Sequence, residues 1–250
     1  MTLAETIVSN AIRYSMRRFC FANIIIAGPI CAGKKSLAQQ IAECSDAYNL
    51  EKNVTIFYQD DYYKEYDELE DTPFGVKNID ARSAFKISKF LKDVRTFYEQ
   101  GHISINTFSL RNWNKNCSII KTNESSEIIK PCIFKSKETR RINILVGTHT
   151  IDLLKKNQQY REDENEKCVK TSDNELVRRI IPYDIPEAIY IYLNTPHIAC
   201  MERREKRRIM FPNNLYTVKQ YNEYSDFIKK QTEDEIAFQK EMADIVINCD

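Results

Sequence analysis

Residues 22–36 read ANIIIAGPICAGKKS, an apolar run that leads into a short loop with two of the chain's five glycines, Gly28 and Gly33. The run at 22–27 is rich in β-branched residues, which is typical of a strand buried on both faces of a sheet. Residues 36–43 (SLAQQIAE) have the apolar spacing of a helix. A glycine loop between a buried strand and a helix is the setting that a phosphate-binding P-loop requires.

The main chain of such a loop can hold phosphate oxygens. Successive N–H groups at the start of a helix point into one concavity, and the helix dipole adds partial positive charge there. Lys34 places an ammonium group where it can reach the terminal phosphates. The alternative is a strand–turn–helix junction whose glycines only permit a tight turn. We predict a nucleotide-binding loop formed by Gly28, Pro29, Ile30, Cys31, Ala32, Gly33, Lys34, Lys35, Ser36 and Leu37.

Strands and helices are predicted to alternate along the rest of the chain. A further buried strand is predicted at 142–147, and other strands at 54–58, 188–193 and 243–248. Helices are predicted at 3–18, within 84–100, and at 196–208 and 221–242. This alternation favours a mostly parallel sheet with helices on both faces, a three-layer α/β fold. Residues 103–110 alternate and predict one strand of a hairpin, whereas 112–141 show no period and predict an insertion or mobile arm.

Composition narrows the class of protein. The 250 residues carry 37 basic and 36 acidic side chains, a balance that argues against a dedicated nucleic-acid binder. Eight cysteines form no C-x-x-C pair, so neither a zinc ribbon nor a dithiol redox motif is predicted. The longest apolar run, 19–30, is too short to span a membrane. We expect a cytoplasmic protein built as one domain over 1–250, with neither a nucleic acid nor a membrane as partner.

Five landmarks, in order along the chain, resemble those of the uridine–cytidine kinases and their relatives, such as the nicotinamide riboside kinases. They are GPICAGKKSLA (28–38), VTIFYQDDYYK (54–64), NIDARSAF (78–85), INILVG (142–147) and MERREKRR (201–208). The resemblance covers roughly residues 20–250 and implies the P-loop nucleoside triphosphate hydrolase fold, with a small β-hairpin over the substrate site. It also implies an arginine-rich lid at 196–214, and it leaves 1–20 as an N-terminal helical extension.

The activity that the resemblance implies is transfer of the γ-phosphate of ATP to the 5′-hydroxyl of a nucleoside. Asp60 matches the family's catalytic base. A carboxylate suits this role, because it can accept the hydroxyl proton as attack proceeds. Lys34 is its catalytic partner at the phosphates, and Tyr62 is a candidate substrate-binding residue. The alternative for Asp60 is an ordinary acidic loop after a strand.

Four more positions are candidate substrate contacts through the resemblance. Asp80 matches the carboxylate that holds the sugar hydroxyls, although an Asp at this point can equally cap a helix. Phe108 lies where the family places an aromatic residue over the base, and Arg111 follows it. Trp113 lies where pyrimidine-specific members carry a histidine, so it either stacks on a base or packs the hairpin against the core.

The lid candidates are Arg203, Arg204, Arg207 and Arg208. Each i, i+4 pair among them shares one helix face, so positive charge is directed towards one side. Such arginines can stabilise charge on the phosphates in the transition state. The alternative is a solvated basic helix whose arginines pair with the neighbouring glutamates.

Two departures from the family pattern concern the magnesium ion that accompanies ATP. Lys35 stands where a P-loop has a metal-binding hydroxyl, and Val146 stands where the Walker B strand has an acidic residue. Ser36 is the remaining candidate metal ligand, should the loop shift by one residue. A sharper hypothesis is that the Lys35 ammonium takes over part of the electrostatic role of Mg²⁺. It predicts slow or absent turnover with retained nucleotide affinity.

Three functions stay open at this point. The first is an ATP-dependent nucleoside kinase, with a nucleoside-like small molecule and ATP as partners and a homo-oligomer as a further expectation. The second is a catalytically weak or inactive nucleotide-binding relative that acts through other proteins. The third is a kinase of another small hydroxyl compound, such as nicotinamide riboside.

Overall fold

The computed structural model describes residues 2–14, 21–46, 54–100, 103–106, 126–129, 141–155, 188–209, 211–213, 215 and 217–249. The strands are β1 (Phe21–Ala27), β2 (Val54–Tyr58), β3 (Ile103–Asn106), β4 (Ser126–Ile129), β5 (Arg141–Val146), β6 (Ala188–Asn194) and β7 (Ile245–Asn248). The α-helices are α1 (Leu3–Tyr14), α2 (Lys34–Asp46), α3 (Ile87–Gln100), α4 (helical at 150–155), α5 (His197–Arg207), α6 (Val218–Glu235) and α7 (Gln239–Met242). Three single 3₁₀ turns follow β2 and precede α3, at Gln59–Tyr62, Tyr66–Glu68 and Arg82–Ala84.

Five strands form one parallel sheet in the order β2-β5-β1-β6-β7. The first strand in sequence is central, with Ile24 level with Ile144 on one side and with Ile189 on the other. The predicted doubly buried strand is confirmed, because every described side chain of β1 is fully buried. Since the carboxyl ends of parallel strands share one edge, the loops after β1, β2, β5 and β6 meet there.

Helices cover both faces of this sheet. Ile24 and Ile26 of β1 pack into a core with α1 and α2. The alternate residue, Ile25, packs into a second core with Phe90 and Leu91 of α3. Successive side chains of a strand point to opposite faces, so one strand supplies both cores. The predicted three-layer α/β fold is confirmed.

The hairpin is formed by β3 and β4, which pair antiparallel from Ile103 opposite Ile129 to Asn106 opposite Ser126. A strand at 103–106 agrees with the alternating pattern there. Its partner β4 falls within 112–141, where the sequence shows no period. The residues between the two strands, and all others of 112–140, lie outside the described part of the chain.

The single long helix predicted at 221–242 is wrong, because the chain forms α6 and then α7. Ile236 has φ −124° and leaves the helical conformation, while its side chain is fully buried in the second core. The N–H of Ala237 then donates to Thr232 O, five residues back, at 2.8 Å. Burial of one apolar side chain therefore interrupts a stretch that periodicity alone would continue. No helix in the described ranges is both long and apolar enough to cross a membrane.

Candidate nucleotide-binding site

The loop between β1 and α2 has three residues in the left-handed backbone region. Gly28 and Gly33 have positive φ angles of 147° and 104°, and Cys31 joins them with φ 67°. A Cβ at position 28 would lie 2.7 Å from the carbonyl oxygen of Leu193 in β6. Glycine is therefore required at Gly28 both for its conformation and for the close approach of two central strands.

The hydrogen bonds of the loop leave several amides at the start of α2 without an acceptor among the described residues. Its internal turn is closed by Ala32, whose N–H donates to Pro29 O at 3.1 Å, and the first helical bond of α2 runs from Leu37 to Gly33 O. The N–H groups of residues 33–36 donate to no acceptor in the described part of the chain. These donors at the start of a 13-residue helix are the groups that an anion bound at the predicted loop would use.

Lys34 lies against the loop itself. Its Nζ donates to the carbonyl oxygens of Gly28 and Pro29, each at 2.7 Å, and the side chain is buried. Burial lowers the pKa of Lys34, and the nearby charge of Asp60 only partly offsets this. The ammonium is thus held by neutral oxygens at the mouth of the loop, where an incoming phosphate would be a stronger partner.

Asp60 lies in the 3₁₀ turn that follows β2, so this turn brings its carboxylate beside the loop. Lys35 Nζ lies 3.0 Å from Asp60 Oδ2 and 5.0 Å from the ring centroid of Tyr58. Although burial acts to lower the pKa of Lys35, the charge of Asp60 and the hydrogen bond to it hold that pKa above its ordinary value. The predicted base is therefore paired with the residue that replaces the metal-binding hydroxyl.

Asp80 and helix α5, which carries the arginines predicted to form a lid, meet in a buried ion pair. One guanidinium nitrogen of Arg204 donates to both carboxylate oxygens of Asp80, at 2.6 and 2.8 Å, and the side chains are 3% and 2% exposed. Burial would lower the pKa of Arg204, but the Asp80 charge raises it above its ordinary value. The capping alternative for Asp80 does not hold, since Ala81 occupies the N-cap of the adjacent 3₁₀ turn and no side chain caps it.

The four lid arginines do not act as one group. Arg203 donates to the carbonyl oxygens of Cys31 and Ala32 in the glycine loop, at 3.2 and 3.4 Å. Arg207 and Arg208 are exposed, and Arg208 ends α5 in a left-handed conformation with φ 50°. Arg203 therefore connects helix α5 to the loop, and Arg204 connects it to Asp80.

Tyr62 is placed in the core rather than beside the loop. Its side chain is 1% exposed and packs edge-on against Phe90, with ring centroids 5.2 Å apart. Its neighbour Tyr63 stacks on Phe85 at 4.2 Å, and burial and then the charges of Asp60 and Asp80 raise its pKa well above the ordinary value. Tyr63 directly follows the 3₁₀ turn of Asp60 as its C-cap, so its place in the run QDDYY (59–63) is the signal that could have marked it.

His149 is a site residue that the sequence did not single out for a role. Its backbone N–H donates to Gln59 Oε1 at 2.9 Å, and its ring Nε2 lies 3.2 Å from the carbonyl oxygen of Asp80. The ring is fully buried, with its edge against Phe85. Burial lowers its pKa to about 4, so the imidazole is neutral near pH 7. No local pattern marks this contact, because it joins the ends of β2 and β5 to a loop 69 residues away in sequence.

The stability of the protein should fall as pH drops from 6.5 to about 4 because of His149. In this window the unfolded chain binds a proton that the folded chain excludes, so the free energy of unfolding decreases with falling pH. At about 1.4 kcal/mol per pKa unit, the loss is on the order of 3 kcal/mol. Urea unfolding of the wild type and His149→Asn across this range measures it. The free energy of unfolding of His149→Asn should decrease less over this pH range than that of the wild type, whereas His197→Asn, at a half-buried position, should follow the wild type more closely. Equal pH dependence of all three proteins would contradict the role given to His149.

The residues present do not suit a divalent cation. Lys35 replaces the ligand hydroxyl with an ammonium, and Val146 at the end of β5 is apolar and 2% exposed. The described residues contain no cluster of three or more His, Cys, Asp or Glu side chains that could hold a metal. Ser36, the remaining candidate, has an exposed side chain. Three other predicted site residues, Phe108, Arg111 and Trp113, lie outside the described residues.

No protein-family model matches the sequence, and no curated protein matches it. Solved structures do match. A protein named as a fructose transport system kinase from Silicibacter sp. TM1040 is 14% identical, with 99% of this chain and 100% of that chain covered and a TM-score of 0.50. The protein YGR205w is 13% identical, with 100% of this chain and 95% of that chain covered and a TM-score of 0.51. At these identities the likeness concerns the fold alone, and this chain has the three-layer α/β fold of the P-loop kinases.

Proposed function

We propose that this chain is a phosphotransferase that binds ATP at loop 28–36 and transfers its γ-phosphate to the 5′-hydroxyl of a nucleoside. The observation that carries the proposal is the open set of amides at residues 33–36 with Asp60 beside it, linked through Lys35 at 3.0 Å. A phosphate cradle and a carboxylate at its edge are two of the parts that phosphoryl transfer to a hydroxyl uses.

The loop residues bind the donor in this proposal. The N–H groups of 33–36 donate hydrogen bonds to the phosphate oxygens, and Lys34 exchanges the carbonyls of Gly28 and Pro29 for the terminal phosphates. Arg203, which already contacts the loop, adds positive charge on the lid side. These charges offset the repulsion between the phosphates and an incoming oxygen nucleophile.

Asp60 serves the acceptor. Its carboxylate takes the proton of the attacking hydroxyl as the bond from that oxygen to phosphorus forms and the bond to the ADP oxygen breaks. The contact with Lys35 must loosen for the hydroxyl to approach Asp60. Asp80, paired with Arg204, is the group proposed to receive the sugar hydroxyls, with Tyr63 and His149 at its sides.

A second candidate is a nucleotide-binding relative with little or no turnover. One observation favours it: the ammonium of Lys35 occupies the Asp60 carboxylate that the reaction needs, and the metal-ligand positions are filled by Lys35 and Val146. Nucleotide binding is common to both candidates. A kinase of another small hydroxyl compound differs from the first candidate only in its acceptor.

A thermal-shift panel followed by product analysis separates these candidates. A ligand at 100 times its Kd adds about 2.7 kcal/mol to the free energy of unfolding, which for a chain of this size raises Tm by about 5 to 10 °C. ATP should produce this shift, and adenosine, which lacks the phosphates, should produce much less. Nucleosides, nicotinamide riboside and pantothenate are then incubated with ATP, and their phosphorylated products are sought by mass spectrometry.

Each outcome of the panel has a meaning. A phosphorylated nucleoside supports the kinase proposal. A phosphorylated product of another compound shows that this compound, and not a nucleoside, is the acceptor. Stabilisation by ATP without any product favours the non-catalytic candidate. Absence of any ATP shift overturns the proposed function altogether.

A further inference from the structure

Lys35 stands at the point of the loop where the P-loop pattern places a hydroxyl that binds Mg²⁺. It is the second residue of α2, and its own N–H is one of the amides that donate to no acceptor in the described residues. Its side chain thus starts from the rim of the phosphate cradle. A positive charge at this position lies where the ion would otherwise face the phosphates.

The ammonium is held in place from two sides. Asp60 Oδ2 lies 3.0 Å from Nζ, and the face of the Tyr58 ring lies 5.0 Å from it. A carboxylate and an aromatic face both favour the charged form. The Lys35 side chain remains 51% exposed, so part of it stays open to a ligand.

The same neighbourhood disfavours a divalent ion. The end of β5 contributes Val146, an apolar side chain that is 2% exposed, where an acidic residue would be needed. A cation placed between Asp60 and the loop would share that carboxylate with an ammonium, and like charges at such distances repel strongly. Mg²⁺ also requires near-octahedral oxygen coordination, which a lysine cannot supply.

We propose that the Lys35 ammonium is the resident counter-cation for the β- and γ-phosphates of the nucleotide, so that nucleotide binding by this chain does not depend on Mg²⁺. The inference rests on the proposed function, because it concerns the nucleotide of that site. Lys35 acts with Lys34: Lys34 approaches from the Gly28 side of the loop, and Lys35 approaches from the Asp60 side.

The test is the Kd of ATP, measured by isothermal titration calorimetry in EDTA and in saturating MgCl₂. The wild type should change its Kd less than about threefold between the two conditions. That difference is well below the factor of ten that corresponds to 1.4 kcal/mol of binding free energy. Lys35→Ser restores the expected hydroxyl and removes the ammonium. In EDTA it should bind ATP about 10-fold or more weakly than the wild type, because a charge-assisted contact to phosphate is lost. Magnesium should then tighten its binding by about 10-fold.

Two variants control for folding and for charge. Lys86→Ser removes another ion-paired lysine, 3.0 Å from Glu65 and outside the loop sequence, and should bind ATP as the wild type does in both conditions. Lys35→Arg keeps the positive charge and should keep the magnesium independence. The Tm of every variant is recorded without ligand, so that a folding defect in Lys35→Ser is recognised. In that case, ATP binding by Lys35→Arg is compared with that of the wild type.

Three results would overturn the inference. Wild-type binding that tightens 10-fold or more with magnesium would show that a divalent ion is used, and the proposed function would survive. Equal ATP affinity of the wild type and Lys35→Ser in EDTA would remove Lys35 from the phosphates. No ATP binding by the wild type in either condition would remove the inference and the proposed function together.

Discussion

Replacing Asp60 by asparagine is expected to lower the rate of phosphoryl transfer by about 10²- to 10⁴-fold, the usual contribution of a positioned general base. Asparagine has nearly the same shape but cannot take the proton of the acceptor hydroxyl. The loss should fall on kcat, because the loop amides and Lys34, which hold the donor, are untouched. Single-turnover assays with the acceptor identified by product analysis measure it.

The same variant makes a second, opposite prediction for binding. Asp60 holds Lys35 at 3.0 Å, so its neutralisation releases the ammonium towards the phosphates and removes a negative charge from their surroundings. Affinity for ATP should rise by a factor of a few, and it should not fall. A fall in kcat together with a tighter Kd distinguishes loss of the base from a general disturbance of the site.

Asp61→Asn is the matched control, since it removes the neighbouring carboxylate of the same 3₁₀ turn. Its kcat should stay within a few-fold of the wild type. Unchanged turnover in Asp60→Asn would place the base elsewhere. An equal loss in both variants would indicate that the charge of the turn matters, and not one proton acceptor.

The parts of the fold that the sequence predicts are those specified locally. The β-branched run at 22–27 is fully buried, and the two glycines after it adopt the positive φ angles that a phosphate loop needs. Strand and helix alternation was enough to predict a parallel sheet. The close approach of Gly28 to Leu193 reinforces the loop, but it joins residues 165 positions apart and has no signature in either segment.

What the sequence leaves open are contacts between distant segments. Asp80 carries two equally good local interpretations, and only the fold shows that Arg204, 124 residues later, takes both of its oxygens. His149 shows no ligand spacing with another histidine, yet it reaches the carbonyl of Asp80. A pattern of residue types indicates which chemistry is available. Which residues contact one another depends on the order of strands in the sheet.

The two adjacent lysines, Lys34 and Lys35, illustrate the same limit. The loop pattern gives them different positions, but only the fold shows that they leave α2 in different directions. Lys34 turns back to the carbonyls of the loop, and Lys35 turns to Asp60. The departure from the P-loop pattern was visible in the sequence, and the partner that gives it a physical meaning was not.

Breaking the Asp80–Arg204 pair is expected to destabilise the protein by about 3 to 5 kcal/mol, the usual result of leaving one buried charge without its partner. In the wild type the Asp80 side chain is 2% exposed, and Arg204→Met removes the guanidinium that pairs with its carboxylate. For a chain of this length the loss corresponds to a fall in Tm of about 6 to 20 °C. Thermal and urea unfolding of Arg204→Met and Asp80→Leu measure it.

The double variant Asp80→Leu with Arg204→Met decides what the pair is for. Because desolvating two charges is costly, an apolar replacement of both is often neutral or stabilising, so the double variant should be more stable than either single variant. The surface pair of Lys219 and Glu223, 3.8 Å apart with side chains 85% and 52% exposed, is the control, and Lys219→Met should cost less than about 1 kcal/mol. A double variant as unstable as the single variants would contradict the ion-pair account and would point to steric damage around α5.

A recovered double variant also separates stability from function. If the pair serves only to fasten the lid, the double variant should bind ATP and phosphorylate its acceptor as the wild type does. If Asp80 receives the acceptor's hydroxyls, ATP binding should persist while KM for the acceptor rises by about 10- to 100-fold, the cost of a hydrogen bond to a charged group. We expect the second result, since a buried charge pair contributes little to stability that an apolar pair could not replace. Wild-type kinetics in the stable double variant would leave Asp80 with a structural role alone.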